Sequence, residues 1–266
     1  MIAILSPAKI FRELQEGEGK VYSPLHFHNE SLELLEALKQ YNEEELAELM
    51  KMSMELAKIN KERYNNFHNL QEKNAYEALR YFHGEAYKGI ETETLTDKAQ
   101  AYIHDHVRIL SGLYGVVKPL DCIKPYRLEM GTKFSNSVGK DLYAFWKEKL
   151  TKVMLEALKE TTGEQVLVNL ASDEYSKVID FKKIEAHYPV VKISFKEQKG
   201  EAYKVVGMYA KKARGMMVRY IGEYQVDSIE GIKAFNQEGY SLNTELSTAK
   251  HLVFTRKLEK IIFKNS

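Results

Sequence analysis

At 266 residues the chain is long enough to bury a substantial core, and its 44% hydrophobic content, with 17 tyrosines and 11 phenylalanines, marks it as globular. Lys and Arg at 39 against Asp and Glu at 38 leave a net charge of +1. This excludes an overall basic pull on nucleic acid and confines any such binding to a local patch.

The single cysteine, Cys122, rules out an intrachain disulfide framework and predicts a reducing, cytoplasmic location. No apolar run approaches the ~18–20 residues of a membrane span, so no membrane partner is expected. Residues 2–5 are apolar, but Ser6-Pro7 stops them too early for a signal peptide; they read as a buried strand entering a loop. That loop runs to about His28 through Gly17 and Gly19. Helical spacing follows, with one stripe at Leu32, Leu35 and Leu38 and another at Leu46, Leu49, Met50, Met54, Leu56 and Ile59, reaching about Phe67. A further helix is predicted from Gln71 to Tyr81, closed by His83-Gly84.

Residues 107–110 are a short apolar run broken by Ser111-Gly112. Asp141 reads as the N-cap of a helix whose stripe is Leu142, Phe145, Trp146, Leu150, Val153, Met154 and Ala157, ending near Thr162-Gly163. Residues 165–170 form a continuous apolar run, the pattern of a strand buried on both faces. Strands are predicted at 190–195 and 203–208, joined as a hairpin across Lys199-Gly200, and a last strand at 251–254. Strands and helices alternate without a composition break, repeat or linker. The expectation is a single α/β domain over residues 1–266, a mixed α+β arrangement with a central mixed sheet and surrounding helices.

Charge is unevenly distributed: residues 30–62 are dominated by acids, residues 108–140 and 203–219 by bases. In Tyr209-Ala210-Lys211-Lys212-Ala213-Arg214-Gly215, an apolar stripe beginning at Ala213 places Lys211, Lys212 and Arg214 in a first helical turn. Cations are disfavoured there by ~0.3–1 kcal/mol each unless an anion arrives. Gly215 would let that anion approach, and a phosphate or nucleic-acid backbone fits the description. Two strands run into polar loops at Ser6-Pro7-Ala8-Lys9 and at Ala171-Ser172-Asp173-Glu174-Tyr175. Ligands of open α/β sheets sit outside the carboxyl ends of strands. Lys9 offers a cation, Ser172 a hydroxyl, and Asp173 and Glu174 carboxylates for acid/base work; helix capping is the plainer role for Ser172 and Asp173. In Pro125-Tyr126-Arg127-Leu128-Glu129-Met130-Gly131, extended geometry puts Arg127 and Glu129 on one face, to pair or to bracket a ligand. The stretch 110–119, with Gly112, Gly115 and Lys118, reads as a tight turn able to offer backbone N–H groups to a phosphate in the manner of a helix-hairpin-helix, or as a plain turn. No metal site is expected, because His26 with His28 and His104-Asp105-His106 lack a third ligand at fixed spacing. The absence of a Walker loop, G-x-G-x-x-G and G-x-S-x-G leaves no cofactor to expect.

Taken with Gly139-Lys-Asp-Leu-Tyr143, Asn169-Leu-Ala-Ser-Asp-Glu-Tyr175 and Glu238-Gly239-Tyr240, these motifs make the chain resemble, end to end, the YaaA family of bacterial peroxide-stress proteins. The resemblance implies an α/β fold likened to a cantaloupe slice, with a helix-hairpin-helix-like element beside a positively charged cleft. It also implies binding of duplex or structured DNA and a role in limiting intracellular iron and oxidative DNA damage under hydrogen peroxide. By position, Lys9, Arg127, Lys211, Lys212 and Arg214 would line the cleft, with Lys118 joining them from the hairpin stretch. Residues 110–120 are the first location for the hairpin and residues 44–67 the rival. Ile10-Phe11 replaces the Thr-Leu commonly seen after the first motif. The carboxylates leave a second expectation open, an enzyme acting on a nucleotide or a damaged DNA base in the same cleft.

Overall fold

The computed structural model describes residues 1–13, 15, 18, 20, 25–68 and 73–257. Its first half contains β1 (Ile2–Leu5), β2 (Ile10–Phe11), α1 (His28–Leu38), α2 (Glu43–Met50), α3 (Met54–Asn65), β3 (Tyr76–Glu77), α4 (Ala78–Tyr81), β4 (Phe82–His83), α5 (Glu85–Ile90), α6 (Asp97–His106), β5 (Val107–Ser111), β6 (Gly115–Val117) and β7 (Cys122–Ile123). The second half contains α7 (Leu142–Glu160), β8 (Leu167–Asn169), α8 (Asp173–Ser176), α9 (Phe181–Glu185), β9 (Val190–Lys199), β10 (Ala202–Lys204), α10 (Gly207–Tyr224), α11 (Ile229–Lys233), β11 (Ser241–Leu242) and β12 (His251–Lys257).

The main sheet has the order β11-β12-β9-β8-β1-β5-β6, with β10 pairing the far end of β9. Its centre is parallel, from β12 through β9, β8 and β1 to β5, while β6, β10 and β11 run antiparallel. The four residues of β1 are buried, as an apolar run in a two-faced strand requires. In register, Ala3 lies between Val107 on one side and Val168 on the other. The chain leaves β1 to build β5 on one flank and later β8 on the opposite flank, so β1 and β8 flank a point where the direction of winding reverses. Crevices at such points collect ligands in open α/β sheets.

The cap predicted at Asp141 forms: its carboxylate accepts from Ala144 N–H at 2.9 Å. Below it Trp146 is fully buried, and its indole N–H donates to the Gly112 carbonyl at 2.9 Å. Gly115 has φ +68°, and a Cβ there would lie 2.7 Å from the Trp146 ring, so only glycine fits the turn. That turn joins β5 to β6. Residues 110–120 therefore hold the turn of a β-hairpin and not a helix-hairpin-helix, because Val116 and Val117 pair with Leu110 and Ile109 as a strand. The rival location holds two helices joined by a tight turn: α2 ends at Lys51 in the left-handed conformation (φ 49°), and Ser53 caps α3.

Other boundaries moved too. Residues 71 and 72 lie outside the described residues, and the remainder of the helix expected to Tyr81 divides into β3 and the single turn α4. There the backbone N–H groups of Ala78 and Leu79 bond to Asp121 and Pro119 carbonyls instead of to a preceding turn. Gly17 and Gly19 also lie outside the described residues. The hairpin across Gly200 is present, but its second strand stops at Lys204 and α10 starts at Gly207. Packing of α10 on α5 is backbone to backbone: a Cβ on Gly215 would meet Ala86 O at 1.7 Å, and one on Gly89 would meet Lys212 O at 2.1 Å. Gly215 serves this contact and not the approach of a ligand. Each large apolar side chain sealed in such an interface adds roughly 1.5–3 kcal/mol, and Met217, Val218 and Ile221 of α10 are all sealed.

Candidate functional site

Two loops meet at the carboxyl ends of β1 and β8. Ser6 Oγ accepts from Ser172 N–H at 2.9 Å and donates to Ser172 Oγ at 3.2 Å. The Ser6 carbonyl accepts from the Tyr87 hydroxyl of α5 at 3.1 Å. Ser172 precedes α8 as its N-cap, but its side chain makes no capping bond; the hydroxyl ties the two strand ends together. Burial raises the phenols of Tyr87 and Tyr175 well above their ordinary range, so both serve as neutral hydrogen-bonding groups.

The segment after β7 is extended across these loops and alternates as expected. Tyr126, Leu128 and Met130 point inward, and Tyr126 OH lies 2.7 Å from Ser111 Oγ. Arg127 and Glu129 share the other face and pair, Nη2 to Oε1, at 2.7 Å. The second oxygen of Glu129 accepts from Lys9 Nζ at 2.5 Å, so one carboxylate holds both cations. The Tyr64 hydroxyl of α3 donates to the Arg127 carbonyl, anchoring the segment against the helix pair.

Asp173 and Glu174 diverge. Glu174 Oε1 accepts from Gly131 N–H at 3.1 Å, and its carbonyl accepts from Tyr143 OH at 2.8 Å. Asp173 accepts from Lys192 Nζ of β9 at 2.9 Å. The hydrogen bond from Lys192, then its charge and that of Arg214, hold the Asp173 carboxyl below its ordinary range. Arg214 differs from Arg127, whose Nε is also buried without a partner but whose Nη2 pairs with Glu129. The Arg214 guanidinium is largely desolvated, which lowers its pKa, and only the charge of Asp173 opposes the shift. Its Nε is buried with no partner, and among the described residues no hydrogen bond or ion pair reaches the side chain. A desolvated charge left unpaired is costly, and an anion is what would complete it.

The remaining predicted cations separate. Because α10 begins at Gly207, Lys211, Lys212 and Arg214 lie in its second turn, beyond the first-turn N–H groups, and the argument from the helix end does not hold for them. Lys211 is exposed and unpaired among the described residues. Lys212 turns to another face, where it pairs with Glu238 at 2.5 Å. Lys118 does not join the site: after β6 the chain returns toward the start of β5, where Leu120 N–H donates to His104 Nδ1. There Lys118 lines a separate pocket of about 490 Å³. Sequence reasoning missed Lys192 and Tyr87. Lys192 did carry a signal, as a lone cation within an apolar strand run; Tyr87 carried none.

A cleft of about 660 Å³ opens between the α2–α3 turn and the 129–133 segment. Four glutamates, Glu45, Glu48, Glu129 and Glu174, and two lysines, Lys51 and Lys133, line it, so the cleft is not the positive one expected. Cations gather instead around Asp173, whose carboxyl feels the charges of Lys192, Arg214 and Lys177. His104 and His106 are occupied with Leu120 N–H and the Met1 carbonyl, and among the described residues no group of three or more His, Cys, Asp or Glu is placed to hold a metal ion. No helix among them is long and apolar enough to cross a membrane.

The family model described as "Peroxide stress protein YaaA" matches residues 1–246. The chain belongs to the peroxide stress protein YaaA family. Curated relatives agree over nearly their whole length. A UPF0246 protein of Legionella pneumophila strain Lens is 44% identical over 258 residues, covering 96% of this chain and 99% of that one. A UPF0246 protein of Magnetococcus marinus is 44% identical over 257 residues with the same coverage, and one of Alteromonas mediterranea 39% over 260 residues, covering 97% and 99%. Membership assigns the protein a role in peroxide stress, and the matched span includes each loop of the site.

Proposed function

We propose that the protein acts under peroxide stress by binding duplex or structured DNA, holding backbone phosphate at Arg214 with Lys192 and Lys211 beside it, and so limiting oxidative DNA damage and intracellular iron. The observation that carries the reading is Arg214, whose guanidinium is largely desolvated, has a buried Nε without a partner and makes no ion pair among the described residues. A phosphate oxygen supplies the charge and the acceptors it lacks. Lys9 and Arg127 share the single negative charge of Glu129, so the trio keeps a net positive charge while its geometry is held fixed. Contact with about five phosphates gives a slope of log affinity against log salt near −4.5. Fluorescence anisotropy of a labelled duplex across a salt series tests this. The combined Lys211→Glu and Arg214→Glu variant is expected to lose binding at every salt concentration, and equal affinity of variant and wild type at matched salt would overturn the reading.

A further inference from the structure

The acidic cleft is not explained by phosphate binding. Phosphates are repelled by carboxylates, yet Glu129 and Glu174 face this cleft directly beside the cations. A ligand there must present hydrogen-bond donors. The volume, about 660 Å³, lies within the ~300–1,000 Å³ of small-molecule sites. Tyr41, Leu49 and Met50 also line it and offer apolar surface to a flat ring.

The two carboxylates differ in what they still accept. Each oxygen of Glu129 already meets a cation, Lys9 or Arg127, which satisfies its charge. Glu174 gives Oε1 to Gly131 N–H and retains Oε2, so of its roughly four lone-pair positions most remain free. It is also held in place from behind, because Tyr143 fixes its carbonyl and Gly131 lies so close that a Cβ there would be 3.1 Å from Oε1. The neighbouring residue, Asp173, faces the other way, toward Lys192 and Arg214. Consecutive residues of α8 thus face a donor-seeking subsite on one side and, on the other, the cations Lys192 and Arg214, whose two charges outweigh the one of Asp173 and leave that side attractive to phosphate, with α-carbons about 3.8 Å apart. A nucleotide has those two ends.

On this basis, which rests on the phosphate reading above, we infer that the cleft receives an unstacked guanine-type base whose phosphate lies at Arg214, and that Glu174 reads it. Guanine presents two adjacent donors, N1–H and the N2 amine, which match a carboxylate; thymine presents one donor between two acceptors and would set its oxygens against Glu174. Oxidation of guanine at C8 leaves the N1–H and N2 edge unchanged, so both forms share the recognised chemistry. A base inside a duplex reaches the cleft only by leaving the stack, which costs a few kcal/mol and least where the base is unpaired.

Two measurements on the full chain test this. In the first, deoxyguanosine, 8-oxodeoxyguanosine and thymidine 5′-monophosphates are titrated while the amide signals of Gly131 and Glu174 are followed by NMR. Both guanine nucleotides should shift them and the thymine nucleotide should not. The ratio of the two guanine affinities tells which form the cleft prefers. In the second, a duplex with one guanine facing an abasic site is compared with its fully paired counterpart, and the unpaired guanine should bind at least tenfold more tightly. Glu174→Gln should bring that ratio toward one and abolish the guanine nucleotide shifts. Leu49→Arg, which fills the cleft from the opposite wall, should do the same. Equal affinity for the two duplexes without nucleotide shifts removes the base site and leaves phosphate binding standing. Nucleotide shifts without binding of either duplex keep the base site and remove the DNA reading. The absence of both removes both.

Discussion

Lys212 and Arg214 are two residues apart on α10 and meet opposite electrostatic surroundings. On the Lys212 face, charges are paired in sequence. Lys212 binds Glu238, Glu238 also takes Arg256 at 3.2 Å, and Arg256 Nε donates at 2.9 Å to Glu197, whose carboxylate is 1% exposed. Tyr240 OH donates to the same carboxylate, and the Arg256 guanidinium sits 4.4 Å from the centre of the Tyr240 ring and 5.1 Å from that of Tyr209. On the Arg214 face one largely desolvated guanidinium has a buried Nε without a partner, and only the charge of Asp173 acts on it. The first arrangement is how a fold holds charge for its own stability. The second costs the free protein and is repaid only when something negative binds. Two basic residues in one motif, Tyr209 to Gly215, therefore have different work, and the Glu238-Gly239-Tyr240 motif belongs with the structural half of it.

The largest effect that could break this contrast lies on the paired face. Arg256→Met leaves the Glu197 carboxylate buried without its cation, and loss of one partner from such a pair costs ~3–5 kcal/mol. Urea unfolding should report a loss of that size with the same denaturant slope. A midpoint within error of wild type would mean that the network is ornamental and the two faces are alike.

Much of the architecture was legible because it follows from local rules. The β1 and β8 runs, the Asp141 cap, the α7 stripe and the Gly200 hairpin each depend on periodicity or on one side chain. The misread elements depend on distant partners. Val116 and Val117 look like any apolar pair until β5 pairs with them and Trp146 closes over Gly115. Leu56 and Ile59 kept helical spacing yet remain 42% and 38% exposed, because α3 is anchored through Ala57, Asn60 and Tyr64 instead. The site was legible as a set of motifs and not as a geometry. Arg127 and Glu129 were placed on one face by strand alternation, and the structure pairs them. Neither the sharing of Glu129 with Lys9 nor the departure of Lys118 and Lys212 follows from spacing, since each is decided by a partner outside its own element.

The unpaired face answers to a change of opposite sign. Arg214→Met keeps the length of the side chain and removes the buried charge, so the ligand-free protein should gain about 1 kcal/mol. The same variant should lose duplex affinity in the anisotropy assay. A stability loss comparable to that of Arg256→Met would show that Arg214 also supports the fold, and the distinction between the faces would fail.

The smallest effect sharpens the contrast through pH. The hydrogen bond from Lys212, the largest effect, together with the charge of Lys212 and the bond and charge of Arg256, holds the Glu238 carboxyl below its ordinary 4.5 against the opposing effect of burial, which ranks second. A carboxyl depressed on folding contributes stability that is complete above its unfolded value and is lost as the pH falls through its folded value, because the unfolded chain takes up the proton first. Its side chain is 44% exposed, so solvent screening limits the contribution to about 1 kcal/mol or less. Glu238→Gln should therefore be slightly less stable than wild type at pH 7, and the gap should close as the pH drops below 4.5. Urea midpoints taken from pH 7 to pH 3 measure both curves. Parallel curves would mean that Lys212 and Arg256 stabilise each other's surroundings without Glu238, and the chain of pairing that separates the two faces of α10 would be broken at its exposed link.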